Sequence, residues 1–156
     1  MDIEFTFPEK EVLKKAARFC SYRDRSIGEV KLKLRSLGVT SGENQKFIDY
    51  LTQEKYLDEE RFSRVYVRSK LLHNHWGRQK IYAGLKSKFV DIQHIEKALE
   101  TIDMDEYNVI LKGVLQKKTI ELESLEPIAR KQKLIRYALS KGFTYEEIMK
   151  QLKTKL

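Results

Sequence analysis

The sequence predicts an all-α protein of about nine helices, arranged as three tandem three-helix repeats. Two prolines and seven glycines in 156 residues are too few for the frequent tight turns of an all-β sandwich. Helix start signals recur along the whole chain, and one apolar register returns three times. Together these observations favour a helical repeat protein over the other fold classes.

Helix starts are marked by Ser or Thr followed three residues later by Glu, because the hydroxyl and the carboxylate then satisfy backbone N–H groups. This capping-box spacing occurs at Ser26 with Glu29, Thr40 with Glu43, and Thr144 with Glu147. Asp58 and Asp91 fit simple N-caps, and Pro127 fits a first helical turn. Gly38 and Gly142 fit C-terminal stops. The predicted helices cover residues 9–22, 26–37, 42–55, 58–73, 77–88, 91–102, 104–119, 127–141 and 144–154.

The apolar register aligns three copies of one unit. Its positions are Val30, Leu34, Gly38 and Val39, then Ile81, Leu85, Phe89 and Val90, then Leu134, Ala138, Gly142 and Phe143. The predicted units are residues 1–57, 58–102 and 103–156. Such units stack into an elongated, curved array. We favour this arrangement over a single compact bundle in which the sequence repeat is only an evolutionary relic.

The chain is basic throughout. Its 31 Lys and Arg residues exceed its 23 Asp and Glu residues, which gives a formal net charge of +8. The excess is spread over all three predicted units, and Lys and Arg neutralise phosphates with release of counterions. The composition therefore predicts an extended polyanionic partner.

Two long stretches contain no acidic residue, one from Arg61 to Val90 and one from Pro127 to Tyr145. In the first stretch Arg61, Arg64 and Arg68 fall on one stripe of a predicted helix, at i, i+3 and i+7. A solvated helix usually interleaves acids on such a face. The stripe is either a binding face or a solvated face whose ion pairs come from other helices, and we favour the binding face.

Other chemistry is weakly supported. His73, His75 and His94 lack the spacing and the cysteines of a metal site, and the single Cys20 is predicted to be a buried thiol. The acidic run of residues 58–60 is explained by helix capping and the helix dipole. The sequence therefore predicts neither a catalytic residue nor a metal or cofactor. The N-terminus has no basic leader or apolar segment, and no long apolar run occurs, so we expect a cytoplasmic protein without a membrane span.

The segments YLDEERFSRVYVRSK (56–70) and WGRQKIYAGLKSK (76–88) resemble the RecX family, bacterial regulators of the recombinase RecA. The matching positions in these segments are Leu57, Asp58, Arg61, Phe62, Tyr66, Val67, Arg68, Gly77, Lys80, Ile81 and Leu85. Residues 22–39 resemble the first-unit motif of that family, and residues 138–152 resemble its third-unit ending. Ser63 and Phe89 depart from the family pattern, which commonly has alanine and glycine there, and we expect them to loosen one helix packing and one C-cap.

The resemblance implies a cytoplasmic protein with no catalytic activity of its own, active in homologous recombination, DNA repair and the SOS response. It implies binding along the groove of the RecA–single-stranded DNA filament, where it damps ATP hydrolysis, strand exchange and co-protease action. We expect a monomer with weak, sequence-independent affinity for single-stranded DNA. The main alternative is a helix-turn-helix regulator that reads duplex DNA. A further alternative is a protein-only adaptor that binds no DNA alone.

The candidate contacts with the filament or with nucleic acid are basic residues of all three units and one aromatic residue. They are Arg23, Arg25, Arg61, Arg64, Arg68, Lys70, Trp76, Arg78, Lys80, Lys86, Lys88, Arg130, Lys131 and Arg136. The sequence does not distinguish two roles for the ring of Trp76, packing in the core and stacking on a base. Tyr56 and Tyr66 are assigned to packing.

Overall fold

The structure, a computed structural model, describes residues 3–153, and these form nine α-helices without a β-strand. The helices are α1 (Phe7–Tyr22), α2 (Ile27–Ser36), α3 (Asn44–Gln53), α4 (Glu59–His73), α5 (Arg78–Ser87), α6 (Ile92–Leu99), α7 (Met104–Glu121), α8 (Pro127–Ser140) and α9 (Tyr145–Lys153). The all-α prediction is confirmed. The predicted end of the last helix at residue 154 lies outside the described residues.

The chain divides into two compact units. The first comprises Met1–Ser63 and Lys86–Ile95, and the second comprises Arg64–Leu85 and Glu96–Leu156. The helices α4, α5 and α6 each contribute residues to both units. The division into three sequential units, and the elongated, curved arrangement expected of them, stay predictions.

In the first unit, α2 packs against both α1 and α3. Their buried apolar side chains form one core, made of Leu13, Ala16, Cys20, Val30, Leu34, Val39, Phe47, Ile48, Leu51 and Leu57. The predicted buried thiol of Cys20 belongs to this core. The aromatic ring of Phe5 lies 5.0 Å from that of Phe47 and extends the core toward the N-terminus.

In the second unit, α7, α8 and α9 pack against one another. Tyr107 of α7 is fully buried, and its ring lies 5.4 Å from the ring of Phe143. Its hydroxyl accepts a hydrogen bond from the backbone N–H of Arg78 at 3.1 Å and donates to Glu147 Oε1 at 3.3 Å. Burial raises the pKa of this phenol. The buried hydroxyl is therefore fully used in joining α7 to the starts of α5 and α9.

The repeated register has the same structure in each copy. Its apolar positions are all buried: Val30, Leu34 and Val39, then Ile81, Leu85 and Val90, then Leu134, Ala138 and Phe143. The second residue after each helix end has a left-handed backbone, with φ of +90° at Gly38, +58° at Phe89 and +101° at Gly142. Phe89 thus keeps the C-terminal conformation that a glycine gives the other copies, at a cost of about 1–2 kcal/mol for a residue with a Cβ atom.

The buried Ser63 also differs from expectation. Its Oγ donates to the carbonyl of Glu59 at 2.8 Å, within α4, so its polar group is satisfied although the side chain is fully buried. We expected Ser63 to loosen the packing of this helix. Its hydroxyl is hydrogen-bonded, so it does not destabilise the packing as an unpaired buried polar group would.

Most of the predicted caps are confirmed. At Ser26 and at Thr144 both hydrogen bonds of the capping box form, with lengths of 2.8–3.1 Å. The third capping box, Thr40 with Glu43, is wrong, because residues 41–43 form a turn and α3 begins at Asn44. A box that was not predicted, Thr6 with Glu9, starts α1 at Phe7, two residues before the predicted start.

Candidate nucleic-acid interface

The arginine stripe on α4 is extensively ion-paired. Arg61 Nε lies 2.5 Å from Asp24 Oδ1, within the first unit, and Arg61 Nη1 lies 3.9 Å from Asp58 Oδ2. In the second unit, Arg68 Nη1 lies 3.0 Å from Glu106 Oε1. An external anion would therefore compete with an internal carboxylate for Arg61 and for Arg68.

The arginines of the stripe were expected to lack acidic partners. That expectation is wrong for Arg61 and Arg68. Sequence periodicity compares residues within one helix, whereas Asp24 is 37 residues from Arg61 and Glu106 is 38 residues from Arg68. Within α4 itself, Glu60 stands four residues before Arg64, which is a favourable spacing for a helical ion pair. The alternative, pairs supplied by other helices, describes Arg61 and Arg68.

Two further candidate residues are tied into the fold. The side chain of Arg25 is only 12% exposed, its guanidinium lies 3.7 Å from the ring centroid of Phe19, and its Nε donates to the Phe19 carbonyl at 3.0 Å. Burial, and then the positive charge of Arg23, lowers the pKa of Arg25. Arg130 donates from Nη2 to the carbonyls of Glu123 and Leu125, at 3.3 and 2.9 Å. Both guanidiniums are engaged in structural contacts, and we leave them out of the interface.

The second unit brings three lysines together around the tryptophan. Lys70 Nζ and Lys80 Nζ each lie 4.8 Å from the centroid of the Trp76 ring, which is half-buried. Lys141, on the neighbouring turn after α8, donates from Nζ to the carbonyl of Asn74 at 2.6 Å. We call Lys70, Trp76, Lys80 and Lys141 the lysine–tryptophan cluster.

Like charges repel in this cluster. Burial, and then the positive charge of Lys80, lowers the pKa of Lys141, and Lys80 Nζ lies 3.5 Å from the carbonyl of Ser140. Attraction of an ammonium to an indole face contributes about 0.5–2 kcal/mol. A bound anion would reduce the repulsion between the ammoniums. The cluster therefore has the charge and geometry to hold phosphate groups.

The loop that carries Trp76 is held by backbone contacts. The N–H of Gly77 donates to the carbonyl of Lys141 at 2.7 Å, and the N–H of Gln79 donates to the carbonyl of Gly142 at 3.0 Å. A Cβ atom at Gly77 would lie 2.3 Å from the carbonyl carbon of Gly142, and one at Gly142 would lie 2.4 Å from the Cβ of Lys80. Only glycine fits these two positions, so the loop and the α8–α9 turn meet directly and bring Lys141 to the cluster.

The remaining candidates are on the surface or partly buried. Arg78 is exposed, and its Nη1 lies 3.8 Å from Met104 Sδ. The other exposed candidates are Arg23, Arg64, Lys86, Lys131 and Arg136, and Lys88 is half-buried. Arg23 is paired with Glu29 at 2.9 Å.

The assignment of the aromatic side chains to packing is only partly right. Tyr66 is half-buried and its hydroxyl lies close to Gly84, where a Cβ atom would be 2.1 Å away. Tyr56 is 41% exposed, so its assignment to packing is wrong. The turn after α3 that places Tyr56 outside the core contains Lys55, which has a left-handed backbone that the sequence did not signal.

The acidic run at the start of α4 contains a structural carboxylate. Asp58 accepts from the N–H of Arg61 at 2.9 Å and so acts as the predicted N-cap. Glu59 is buried and accepts from the N–H of Ile27 at 2.9 Å, in addition to contacts with Asp91 and His94. The partners of Glu59 lie 32 to 35 residues away along the chain, so residue spacing within α4 does not reveal them.

Two classes of site do not occur in the part of the chain that the structure describes. Within residues 3–153, no group of three His, Cys, Asp or Glu side chains is placed to hold a metal ion. Over the same residues, no helix is both long enough and apolar enough to cross a membrane.

Family models match the second half of the chain and part of its middle. Residues 58–99 match the second three-helix domain of RecX, and residues 105–152 match its third three-helix domain. The lysine–tryptophan cluster draws its members from both matched segments.

Curated relatives carry the name regulatory protein RecX. The relative from Yersinia enterocolitica is 30% identical over 159 aligned residues, which cover 88% of this chain and 93% of that protein. The relative from Clostridium tetani is 29% identical over 135 residues, 85% of this chain and 62% of that protein. The relative from Bacillus licheniformis is 29% identical over 151 residues, 95% of this chain and 56% of that protein. The chain thus spans little more than half the length of the latter two.

Solved structures share the fold. The crystal structure of RecX from Lactobacillus salivarius has a TM-score of 0.86 and 22% identity, and the match covers 94% of this chain and 95% of that one. A second crystal structure, of a regulatory protein RecX, also has a TM-score of 0.86, with 17% identity and coverage of 94% and 73%. The two domain models together match more than half of the residues, and the relative from Yersinia enterocolitica is 30% identical over most of both chains. This chain therefore belongs to the RecX family of regulatory proteins.

Proposed function

We propose that this protein is a non-enzymatic inhibitor of RecA recombinase. It binds along the groove of the RecA–single-stranded DNA filament and damps ATP hydrolysis, strand exchange and co-protease activity. It acts in the cytoplasm as a monomer, within homologous recombination, DNA repair and the SOS response. Its membership of the RecX family supports the class of function, and its charge supports a polyanionic partner.

The observation that carries the residue-level proposal is the lysine–tryptophan cluster. Lys70 and Lys80 hold two ammonium groups at equal distance from one indole ring. Lys141 adds a third, whose pKa is lowered by burial and then by the positive charge of Lys80. Phosphates of a single strand would occupy the space that the ammoniums face. A base would stack on the Trp76 ring only after displacing an ammonium from it, so we assign Trp76 to orienting the lysines.

The rest of the interface follows from the same reasoning. Arg64 and Arg78 are exposed in the same unit and extend the basic surface. Arg61 and Arg68 would contribute by exchanging an internal carboxylate for a phosphate, with little net gain. Contacts by Arg23, Lys86, Lys88, Lys131 and Arg136 with the filament stay predictions.

The test is the double variant Lys70→Gln and Lys80→Gln, compared with the parent protein in a RecA ATPase assay on single-stranded DNA. Loss of two charge-assisted contacts costs a few kcal/mol, so the concentration needed for half-inhibition should rise by about tenfold or more. A matched control carries Lys117→Gln and Lys150→Gln, which remove the same charge from exposed positions of the same unit. The control should inhibit as the parent does.

Direct DNA binding provides the second readout. Trp76 is the only tryptophan of the chain, so its fluorescence reports on the cluster during titration with an oligonucleotide. The slope of log affinity against log salt should decrease in magnitude by about 1.4 in the double variant, since each phosphate contact on a single strand contributes about 0.7.

Each result has a separate meaning. A parent protein that leaves RecA ATPase activity unchanged would refute the inhibitor proposal. A parent that inhibits, with a double variant that inhibits equally and keeps the salt slope, would refute the cluster as the contact. A strong preference for one duplex sequence would instead support the helix-turn-helix regulator, and inhibition without any DNA binding would support the protein-only adaptor.

A further inference from the structure

Phe89 is a large apolar side chain held where neither packing nor backbone preference explains it. It is 77% exposed, and its φ of +58° is in the left-handed region. The equivalent positions of the other two copies are Gly38 and Gly142, which adopt this conformation without strain. A strained residue whose side chain stays largely exposed is a reason to look for a binding role.

An open groove of about 770 Å³ lies beside Phe89 in the first unit. Its apolar lining includes Ile27 and Leu32 of α2 and the buried Val39. Leu32 is 62% exposed, so the groove presents two large apolar side chains to solvent, one from α2 and one from the turn after α5. Exposed apolar side chains that meet across a concave surface are typical of binding sites.

The position of the Phe89 ring against α2 is fixed by a close backbone approach. A Cβ atom at Gly28 would lie 2.4 Å from the carbonyl oxygen of Lys88 and 3.1 Å from the Cβ of Phe89. Glycine therefore allows the first turn of α2 to lie directly against the end of α5. One wall of the groove is therefore α2, and the other is the turn after α5 that packs against it.

The charges at the groove have one sign. Lys31 and Arg35, one turn apart on α2, are exposed at its lining. None of the described residues that line it is acidic. The complementary ligand is therefore anionic, and the apolar walls require that it also carry an apolar side chain. A nucleic-acid backbone has the charge but no aliphatic or aromatic anchor, so a protein segment fits better.

We propose that this groove binds an acidic peptide segment, which inserts an apolar side chain between Phe89 and Leu32 while its carboxylates face Lys31 and Arg35. The segment belongs to a partner protein. The proposal does not rest on the proposed function, because the groove lies in the first unit, whereas the lysine–tryptophan cluster lies in the second.

The test uses a short fluorescein-labelled peptide in which glutamates flank a Leu-Phe pair, with fluorescence anisotropy as the readout and neither RecA nor DNA present. One twin peptide replaces the glutamates by glutamines, and another replaces the Leu-Phe pair by serines. The parent protein should bind the probe and should bind each twin at least about tenfold more weakly, because either the charge or the apolar anchor is missing.

The decisive variant is Phe89→Gly, since its effects on folding and on binding should have opposite signs. Glycine removes the backbone strain, so the melting temperature should rise by about 2–4 °C. The apolar wall is lost, so affinity for the probe should fall by about tenfold or more. Leu32→Ser should lower the affinity for the probe by a similar factor without a large change in melting temperature. Ile128→Ser, at an exposed position of the second unit, should leave the affinity for the probe unchanged.

Several outcomes would overturn the proposal. A parent that does not bind the probe, a Phe89→Gly variant that binds it as well as the parent does, or equal affinity for the glutamine twin would each do so. Displacement of the probe by a single-stranded oligonucleotide, together with loss of oligonucleotide binding in Phe89→Gly, would assign the groove to nucleic acid instead.

Discussion

Replacing Glu59 by Gln should destabilise the first unit more than any change to an exposed carboxylate. The Glu59 side chain is 3% exposed, and its Oε1 accepts from the N–H of Ile27, the first residue of α2, at 2.9 Å. Its Oε2 lies 3.3 Å from His94 Nδ1 and 3.5 Å from the N–H of Asp91, just before α6. One carboxylate in the first turn of α4 thus serves the starts of two other helices, where the helix dipoles favour negative charge.

The magnitude follows from what glutamine can replace. Its carbonyl oxygen still accepts from Ile27, but a hydrogen bond to a charged group, worth about 1.5–3 kcal/mol, becomes a neutral one worth about 0.5–1.5. Its NH₂ group then faces the N–H of Asp91, and a buried donor without an acceptor costs about 1–3 kcal/mol. The expected loss is about 3 kcal/mol of unfolding free energy. For a chain of this length the melting temperature should fall by roughly 6–12 °C.

The measurement is thermal unfolding followed by circular dichroism at neutral pH. The control is Glu96→Gln, which removes the same charge from an exposed position on α6 and should change the unfolding free energy by no more than about 0.5 kcal/mol. If Glu59→Gln melts within about 2 °C of this control, the carboxylate does not hold the helix starts together and the reasoning is wrong.

Two further predictions concern titrating groups of the first unit. The hydrogen bond from Lys46, followed by that from the backbone N–H of Thr6, lowers the pKa of Glu9 to about 2. The stability carried by this cap is therefore present above the ordinary Glu pKa of about 4.3 and is lost as the pH falls towards 2. An NMR titration should show the low midpoint, and Lys46→Met should raise it; an ordinary midpoint in the parent would contradict the expectation. Burial raises the pKa of Cys20, with the charge of Arg25 opposing, so a thiol reagent should react slowly with the folded protein and much faster in denaturant. Equal rates in both conditions would show that the thiol is accessible.

The parts of the fold that sequence reasoning predicted well are those that local chemistry decides. The capping boxes at Ser26 and Thr144 are correct because each is followed by an apolar register that needs a helix there. Thr40 has the same spacing to Glu43, but the chain is still in a turn at that point and the helix begins at the buried polar residue Asn44. Spacing alone does not distinguish the two situations.

The candidate site was less predictable because its interactions cross large sequence separations. Counting charges along α4 identified Arg61 and Arg68 but not the carboxylates that pair with them. The pairing of Lys141 with the Trp76 loop joins residues 67 positions apart, and the only sequence signal for it was the acid-free run that contains Lys141. Glycines mark the contact, since Gly77 and Gly142 allow backbones to touch.

The docking of the Trp76 loop onto the α8–α9 turn also has a consequence for biosynthesis. The Trp76 loop and both flanking helices are synthesised well before Lys141 and Gly142. The two backbone hydrogen bonds that hold the loop need the carbonyl groups of these two residues, so they form only afterwards. A nascent chain that ends before Lys141 therefore lacks both of these hydrogen bonds, whatever helices it has already formed. The lysine–tryptophan cluster is therefore completed only after residues 141 and 142 have been made, long after the helices that carry Lys70 and Lys80.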